Sequence, residues 1–135
     1  MRSILILGAT SDIAEAVAGV YASKGYNIVL AGRSAERLQI MKSDIAIRYN
    51  AIVNFFLFDA DHSHEQHKEF YKSLNHTPDI VLCAFGYLGT QDQAQQNWGE
   101  AHAIIQSNYV GAVSILNIIA NDMEEKKQGV IAGIS

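Results

Sequence analysis

Ser3-Ile4-Leu5-Ile6-Leu7-Gly8-Ala9-Thr10-Ser11-Asp12-Ile13-Ala14 decides the fold: an apolar run of strand length passes straight into a glycine turn and then into a helical stretch. A turn at the carboxyl end of a strand, followed at once by a helix, aims the helix's first free N–H groups and the positive end of its dipole into one space. An anion fits there without a lysine. The glycine pattern itself is degenerate, because Asp12 and Ala14 stand where a dinucleotide-binding turn carries its second and third glycines.

The context makes up for this. About 20 residues beyond the turn, where such folds read the adenosine ribose, a second strand, Ile28 to Ala31, ends in Gly32-Arg33-Ser34. A carboxylate at that place accepts the ribose 2′-OH and repels a 2′-phosphate, whereas a guanidinium forks onto the phosphate. Arg33 therefore points to NADP(H) in preference to NAD(H), with Arg37 one turn on as a second cation. Taken alone Arg33 also reads as an ordinary surface arginine; its place directly after the strand favours the phosphate.

With 135 residues and 49% hydrophobic content, the chain is expected to form one domain over 1–135, large enough to bury a core. It has a single proline, no low-complexity tract and no repeat, so no internal boundary is expected. A net charge of −4 with signs mixed along the chain gives no basic stripe for nucleic acid and no polybasic membrane anchor. The first strand begins at Ser3, leaving no room before it for a secretory signal, and a cytoplasmic protein is expected. The apolar stretch Tyr109 to Ala120, interrupted by Ser114 and Asn117, is too short to span a bilayer. The lone Cys83 reads as a small buried apolar side chain.

Strand-length apolar runs alternate with segments of helical period, the mark of a parallel sheet covered by helices. The first helix, about Asp12 to Lys24, is expected to bury Ile13, Val17, Val20 and Tyr21, to lie close through Ala14 and Ala18, and to end at Gly25. A second helix, capped by Ser34, runs to Tyr49 with Leu38, Met41 and Ile45 inward. A third strand covers Ile52 to Phe58, and a polar helix, His62 to Leu74, should be the most exposed. A fourth strand, Ile80 to Phe85, follows Pro78, and Gly86 to Gln96 reads as a loop. A long helix, Asn97 to Lys127, leads into a last strand, Val130 to Ile134. Right-handed crossovers give an α/β, Rossmann-like, doubly wound parallel sheet of order 3-2-1-4-5, truncated after the fifth strand. The long helix is apolar except for the stripe Ser114, Asn117, Asn121, so it is buried on two sides, by the sheet and by either a second subunit or further chain. A homo-oligomer through 97–127 is expected. The last strand would leave an apolar edge that invites association.

In this order and along its whole length the chain resembles the short-chain dehydrogenase/reductase family. The turn GATSDIA resembles T-G-x-x-x-G-x-G; CAFG at 83–86 occupies the place of N-N-A-G; SNYVG at 107–111 carries Asn108 and Gly111; and GVIAGIS resembles the strand that delivers the catalytic serine. The resemblance implies that Gly8, Thr10, Ser11, Asp12 and Ile13 meet the pyrophosphate and that Arg33 and Ser34 meet the 2′-phosphate. It also implies that Asp59 accepts from the adenine amino group, that Ala60, Ala84, Phe85 and Gly86 flank the adenosine, and that Asn108 fixes a water in the proton relay. The chain departs from the pattern at Asp12, whose carboxylate must point away from the phosphates, and at CAFG, where Phe85 replaces an amide with an apolar wall. Among subgroups, GATSDIA, AFGYLG and SNYVGAVSI look most like the keto-reductases that finish decaprenylphosphoryl arabinose synthesis.

The family's chemistry is hydride transfer between nicotinamide and a carbonyl or alcohol carbon, with a proton from a tyrosine whose pKa is lowered by a lysine four residues later. No tyrosine among these 135 residues has a lysine four positions on. Ser135 matches the first of the family's paired serines, so the chain reads as the cofactor-binding part of a longer NADP(H)-dependent oxidoreductase of a small-molecule substrate. A non-catalytic NADP(H)-sensing module is the alternative. His62, His64 and His67 suggest a metal, but no cysteine or placed carboxylate completes a ligand set, and a solvated helix face is the plainer reading. Asp59 also reads as a cap for the helix near His62, Asn108 as the repair of a helix irregularity, and Trp98 as packing.

Overall fold

The opening apolar run forms strand β1, Ser3–Leu7, in which every residue is buried. A strand buried on both faces belongs in the middle of a parallel sheet. β1 pairs in parallel with β2, Asn27–Gly32, on one side and with β4, Ile80–Cys83, on the other. β3, Val53–Leu57, extends the sheet beyond β2, and β5, Val130–Gly133, extends it beyond β4. The order β3-β2-β1-β4-β5 is the expected one. This computed structural model describes residues 2–85 and 95–134, without the side chain of Ser107; most of the expected loop 86–96, Gly86 included, and Ser135 lie outside them.

Helix α1, Asp12–Ser23, and helix α2, Ala35–Tyr49, cover one face of the sheet. There Ile4, Ile6, Ile28, Leu30 and Leu82 meet Ala14, Ala18, Ala22, Leu38, Met41 and Ile45. The inward side of α1 differs from expectation: Ile13 is 56% and Val20 51% exposed, while Ala14, Ala18 and Ala22 are buried. Alanines four residues apart bring the helix backbone close to the sheet, and at that distance only the flanking Val17 and Tyr21 keep partial cover. Gly25, at φ +86°, follows the helix as expected, and Ser34 caps α2 by accepting from Arg37 N at 3.3 Å.

The opposite face carries Leu5, Leu7, Val29 and Val81, packed against Phe70 of helix α3, His64–Ser73, and against Ile115, Ile119 and Met123 of a later helix. α3 starts at His64 because Ser63 and Gln66 form a reciprocal capping box. The long helix expected over 97–127 is helical throughout but not uniform: α4, Trp98–Ile105, passes through a π-helical turn, Gln106–Val110, into α5, Gly111–Lys126. As expected, α3 is largely exposed, burying only His67 and Phe70; α4 buries none of its residues, and Trp98, expected to pack, is 71% exposed with its ring beside His102.

Taken whole, the run Trp98–Lys126 has 29 residues and a mean hydropathy of 1.5 in its most apolar window, which meets the length and composition of a bilayer span. The stretch 109–120 alone is shorter than that. In the fold, Ile115, Ile119 and Met123 of this run are buried on the sheet, while 18% of the apolar window is buried in all.

Candidate functional site

Candidate residues from the glycine turn, the end of β2, the segment after β3 and the end of β4 gather at the carboxyl end of the sheet, where a doubly wound fold opens its crevice. Gly8 has φ +82°, and a Cβ there would lie 2.6 Å from the backbone N of Phe85, so both conformation and space demand glycine. Gly8 N and Ala9 N both donate to Ala31 O, at 2.9 and 3.0 Å, and strap the turn to the end of β2. Ser11, not Asp12, caps α1, accepting from Ala14 N at 3.2 Å. Among the described residues the N–H groups of Thr10, Asp12 and Ile13 have no acceptor, which leaves three donors at the positive end of the helix. Asp12 is exposed and lies outside the cleft lining, as a phosphate site requires of a carboxylate.

The cleft holds about 200 Å³. Gly8, Thr10 and Ser11 line it from the turn, Gly32 and Arg33 from the end of β2, Phe58, Asp59, Ala60 and Asp61 from the segment after β3, and Ala84 and Phe85 from beyond β4. Of the residues expected at a cofactor, Ile13 and Ser34 flank this lining without joining it, and Asn108 is exposed in the π-helical turn. Gly32, Phe58 and Asp61 were not foreseen; each adjoins a residue that was. Arg33 is exposed at the rim, whereas Arg37 donates to Thr10 O at 3.2 Å and so braces the glycine turn from α2.

The floor is aromatic. Phe58 lies 5.5 Å from Phe85, 4.9 Å from Phe70 and 5.1 Å from His67, ring centre to ring centre, with the imidazole stacked at 30° to it. Asp59 Oδ1 accepts from Asp61 N at 2.9 Å, so Asp59 shapes its own loop and does not cap α3. The carbonyl of Asp59 accepts from His67 Nε2 at 2.9 Å and from His62 N at 3.1 Å. Against the expectation of a solvated face, His67 is 1% exposed.

Both nitrogens of His67 are engaged, the second with Ser114 Oγ at 2.7 Å, and Ser114 Oγ also meets His64 Nδ1 at 2.8 Å. Burial first, and then the neighbouring His62 and His64, hold the His67 pKa below its ordinary value; the Asp59 carbonyl and carboxylate oppose them. A carbonyl only accepts, so in the neutral ring the proton sits on Nε2, Nδ1 accepts from the Ser114 hydroxyl, and His64 supplies the N–H that Ser114 accepts. From the helical run, Gly111 presses on the same loop: a Cβ there would lie 2.5 Å from Ala60 O. Cys83, beneath the cleft, is buried, and desolvation pushes its thiol up to about 11 against a lowering hydrogen bond with the Phe85 backbone. Among the described residues no three His, Cys, Asp or Glu side chains are grouped to hold a metal.

The short chain dehydrogenase family matches residues 2–135. An uncharacterised oxidoreductase of Mycobacterium tuberculosis is 31% identical over 135 residues, 98% of this chain and 53% of that protein. The human inactive hydroxysteroid dehydrogenase-like protein 1 is 28% identical over 137 residues, 99% of this chain and 42% of that protein. The chain thus spans about half the length of the curated relatives it matches. Among solved structures, an alcohol dehydrogenase from the archaeon Thermococcus sibiricus, complexed with 5-hydroxy-NADP, shares the fold with a TM-score of 0.86 at 22% identity, over 98% of this chain and 57% of that one. Matched from residue 2 to residue 135, on a parallel sheet of order β3-β2-β1-β4-β5, the chain belongs to the short chain dehydrogenase family.

Proposed function

We propose that the protein is an NADP(H)-dependent short-chain oxidoreductase, moving hydride between the nicotinamide and a carbonyl or alcohol carbon of a small molecule, and that this chain is its cofactor-binding part. One observation carries the reading: a glycine turn with unbonded amides, a cation, a carboxylate and an aromatic wall, from four successive strand ends, meet in one cleft. In this reading the N–H groups of Thr10, Asp12 and Ile13, with the Ser11 cap, hold the pyrophosphate while Gly8 keeps the approach open. Arg33 forks onto the 2′-phosphate beside Ser34, whose hydroxyl is engaged as the α2 cap. Asp59, with one carboxylate oxygen on Asp61 N, offers the other to the adenine amino group. Ala60, Ala84, Phe85 and Gly86 flank the adenosine, and Asn108 orders a water for the proton relay. The bound nicotinamide supplies the hydride. These 135 residues hold no Tyr-x-x-x-Lys pair, so the stretch binds cofactor without turning it over. Exposed Ile105, Tyr109, Val110 and Val113 on the helical run are the face through which copies of the protein associate.

A second reading, a non-catalytic NADP(H)-binding module, is favoured by the human relative named as inactive. Carbonyl reduction by the complete protein with NADPH separates the two. The cofactor assignment is tested by titrating the chain with NADPH and NADH. A charge-assisted fork of about 1.5–3 kcal/mol gives NADPH a roughly ten- to hundredfold advantage, which Arg33→Ser abolishes. Equal affinity of the unsubstituted chain for both removes the case for Arg33.

A further inference from the structure

We propose that His67 is a positioning residue for the adenosine end of the cleft, fixing the Asp59–Asp61 loop through its Nε2–H on the Asp59 carbonyl and through Ser114 on the opposing helix. The proposal rests on the cofactor reading above and names what holds its adenine-side carboxylate in place. His67 and Ser3 are the fully buried polar residues among those described, and a buried imidazole is costly unless both nitrogens are satisfied. Here both are, and the partners belong to different elements: the loop after β3, and α5.

The same ring stacks on Phe58, which lines the cleft and meets Phe85 across it. One side chain therefore touches the aromatic floor and grips the loop that carries Asp59. Without this grip the loop keeps its local bonds, from Asp61 N to Asp59 Oδ1 and from His62 N to the Asp59 carbonyl, and the pressure of Gly111 on Ala60, but none of these ties the Asp59 carbonyl to α3. The Asp59 carbonyl, which can only accept, sets the N–H at Nε2, and the Ser114 hydroxyl completes the ring by donating to Nδ1 while accepting from His64. Phenylalanine would keep the stack and lose both hydrogen bonds; glutamine would keep a donor near Nε2 and lose the stack.

The test compares the full chain with His67→Phe, His67→Gln and Ser114→Ala for binding of NADPH, adenosine 2′,5′-bisphosphate and inorganic pyrophosphate. His67→Phe should weaken NADPH and the bisphosphate by the same factor, about tenfold, and leave pyrophosphate, which sits at the glycine turn, unchanged. Ser114→Ala should act in the same direction by about threefold and serves if His67→Phe does not fold, and His67→Gln should restore most of the loss. Unchanged bisphosphate affinity in His67→Phe, or an equal loss for pyrophosphate, overturns the proposal. If the unsubstituted chain ignores NADPH and the bisphosphate alike, the cofactor reading fails by itself. Hydrogen exchange in the free protein then decides the loop: faster exchange of the Asp61 and His62 amides in His67→Phe, with β1 amides unaffected, supports the grip, and no change overturns it.

Discussion

The two faces of the sheet are covered by different means. On the α1–α2 side, alanines at 14, 18 and 22 bring a helix close to Ile4, Ile6 and Ile28, and the contact is wholly apolar. On the α3–α5 side a comparable apolar layer is supplemented by two polar clamps. Ser114 of α5 meets His67 and His64 of α3, and Asp122 of α5 accepts from Tyr71 Oη and from Thr77 Oγ1, each at 2.6 Å. Lys126 closes the second clamp, paired with Asp122 at 2.9 Å and donating to Thr77 Oγ1. Apolar packing sets distance, whereas hydrogen bonds set direction. The first face presents the glycine turn, whose donors are backbone amides already directed by the helix axis. The second presents Asp59, a loop residue held by Asp61 N and His62 N within the loop and by His67 from α3.

This contrast is open to attack from either side. The largest effect is expected on the apolar face. Ala18→Leu forces extra carbons into a contact with no room, should cost about 3 kcal/mol in thermal or urea unfolding, and should displace the glycine turn. Val20→Leu on the exposed side of the same helix should stay within about 0.5 kcal/mol. A tolerated Ala18→Leu would mean that α1 is not held by closeness.

Next comes the second clamp. Asp122→Ala leaves the Tyr71 and Thr77 hydroxyls without their acceptor and should cost about 2 kcal/mol. Adding Tyr71→Phe to Asp122→Ala should cost little more, and strict additivity of the two in a double-mutant cycle would show that the clamp is not a unit.

The smallest effect is the response to acid, and its sign follows from the shifts. His67 is held neutral in the folded chain, so below its ordinary value of 6.5 the unfolded chain takes up the proton first, and stability falls as pH drops from there toward the lowered native value. Asp122 accepts from Thr77, Tyr71 and Lys126, which hold its carboxyl at about 2, so its contribution is complete above 3.8 and is lost as pH falls from 3.8 through about 2. Urea midpoints measured against pH should show both windows. His67→Gln should erase the upper one and Asp122→Asn the lower one.

These contrasts also mark what was legible in the sequence. Ser3–Leu7, Gly8 and the helix after it were legible because an apolar run and a residue free to take φ +82° ahead of a helical stretch leave the backbone one arrangement; the Ser11 cap was not read. Arg33 was read from its place after the second strand, whereas Asp59 and Phe85 came only through the family resemblance; parallel topology brings these strand ends to one cleft. The inward side of α1 was misread because periodicity ranks Ile13 and Val20 above alanine, whereas close approach favours alanine. His67 was misread because it shares a polar helix with His64, Glu65 and Lys68. Its one local sign was Phe70, three residues on and on the same side, which also faces the core. The π-helical turn at 106–110 left no mark in the apolar pattern.

The central claim is that the cleft between the glycine turn, Arg33 and the Asp59 loop receives a phosphorylated dinucleotide. Backbone amide spectra of the isotopically labelled chain, recorded with and without NADPH, test it most directly. Shifts are expected at Gly8–Ile13, Arg33–Ser34 and Asp59–Asp61, with β5 and the end of α5 unmoved. No shift at saturating NADPH, or shifts centred elsewhere, would contradict it.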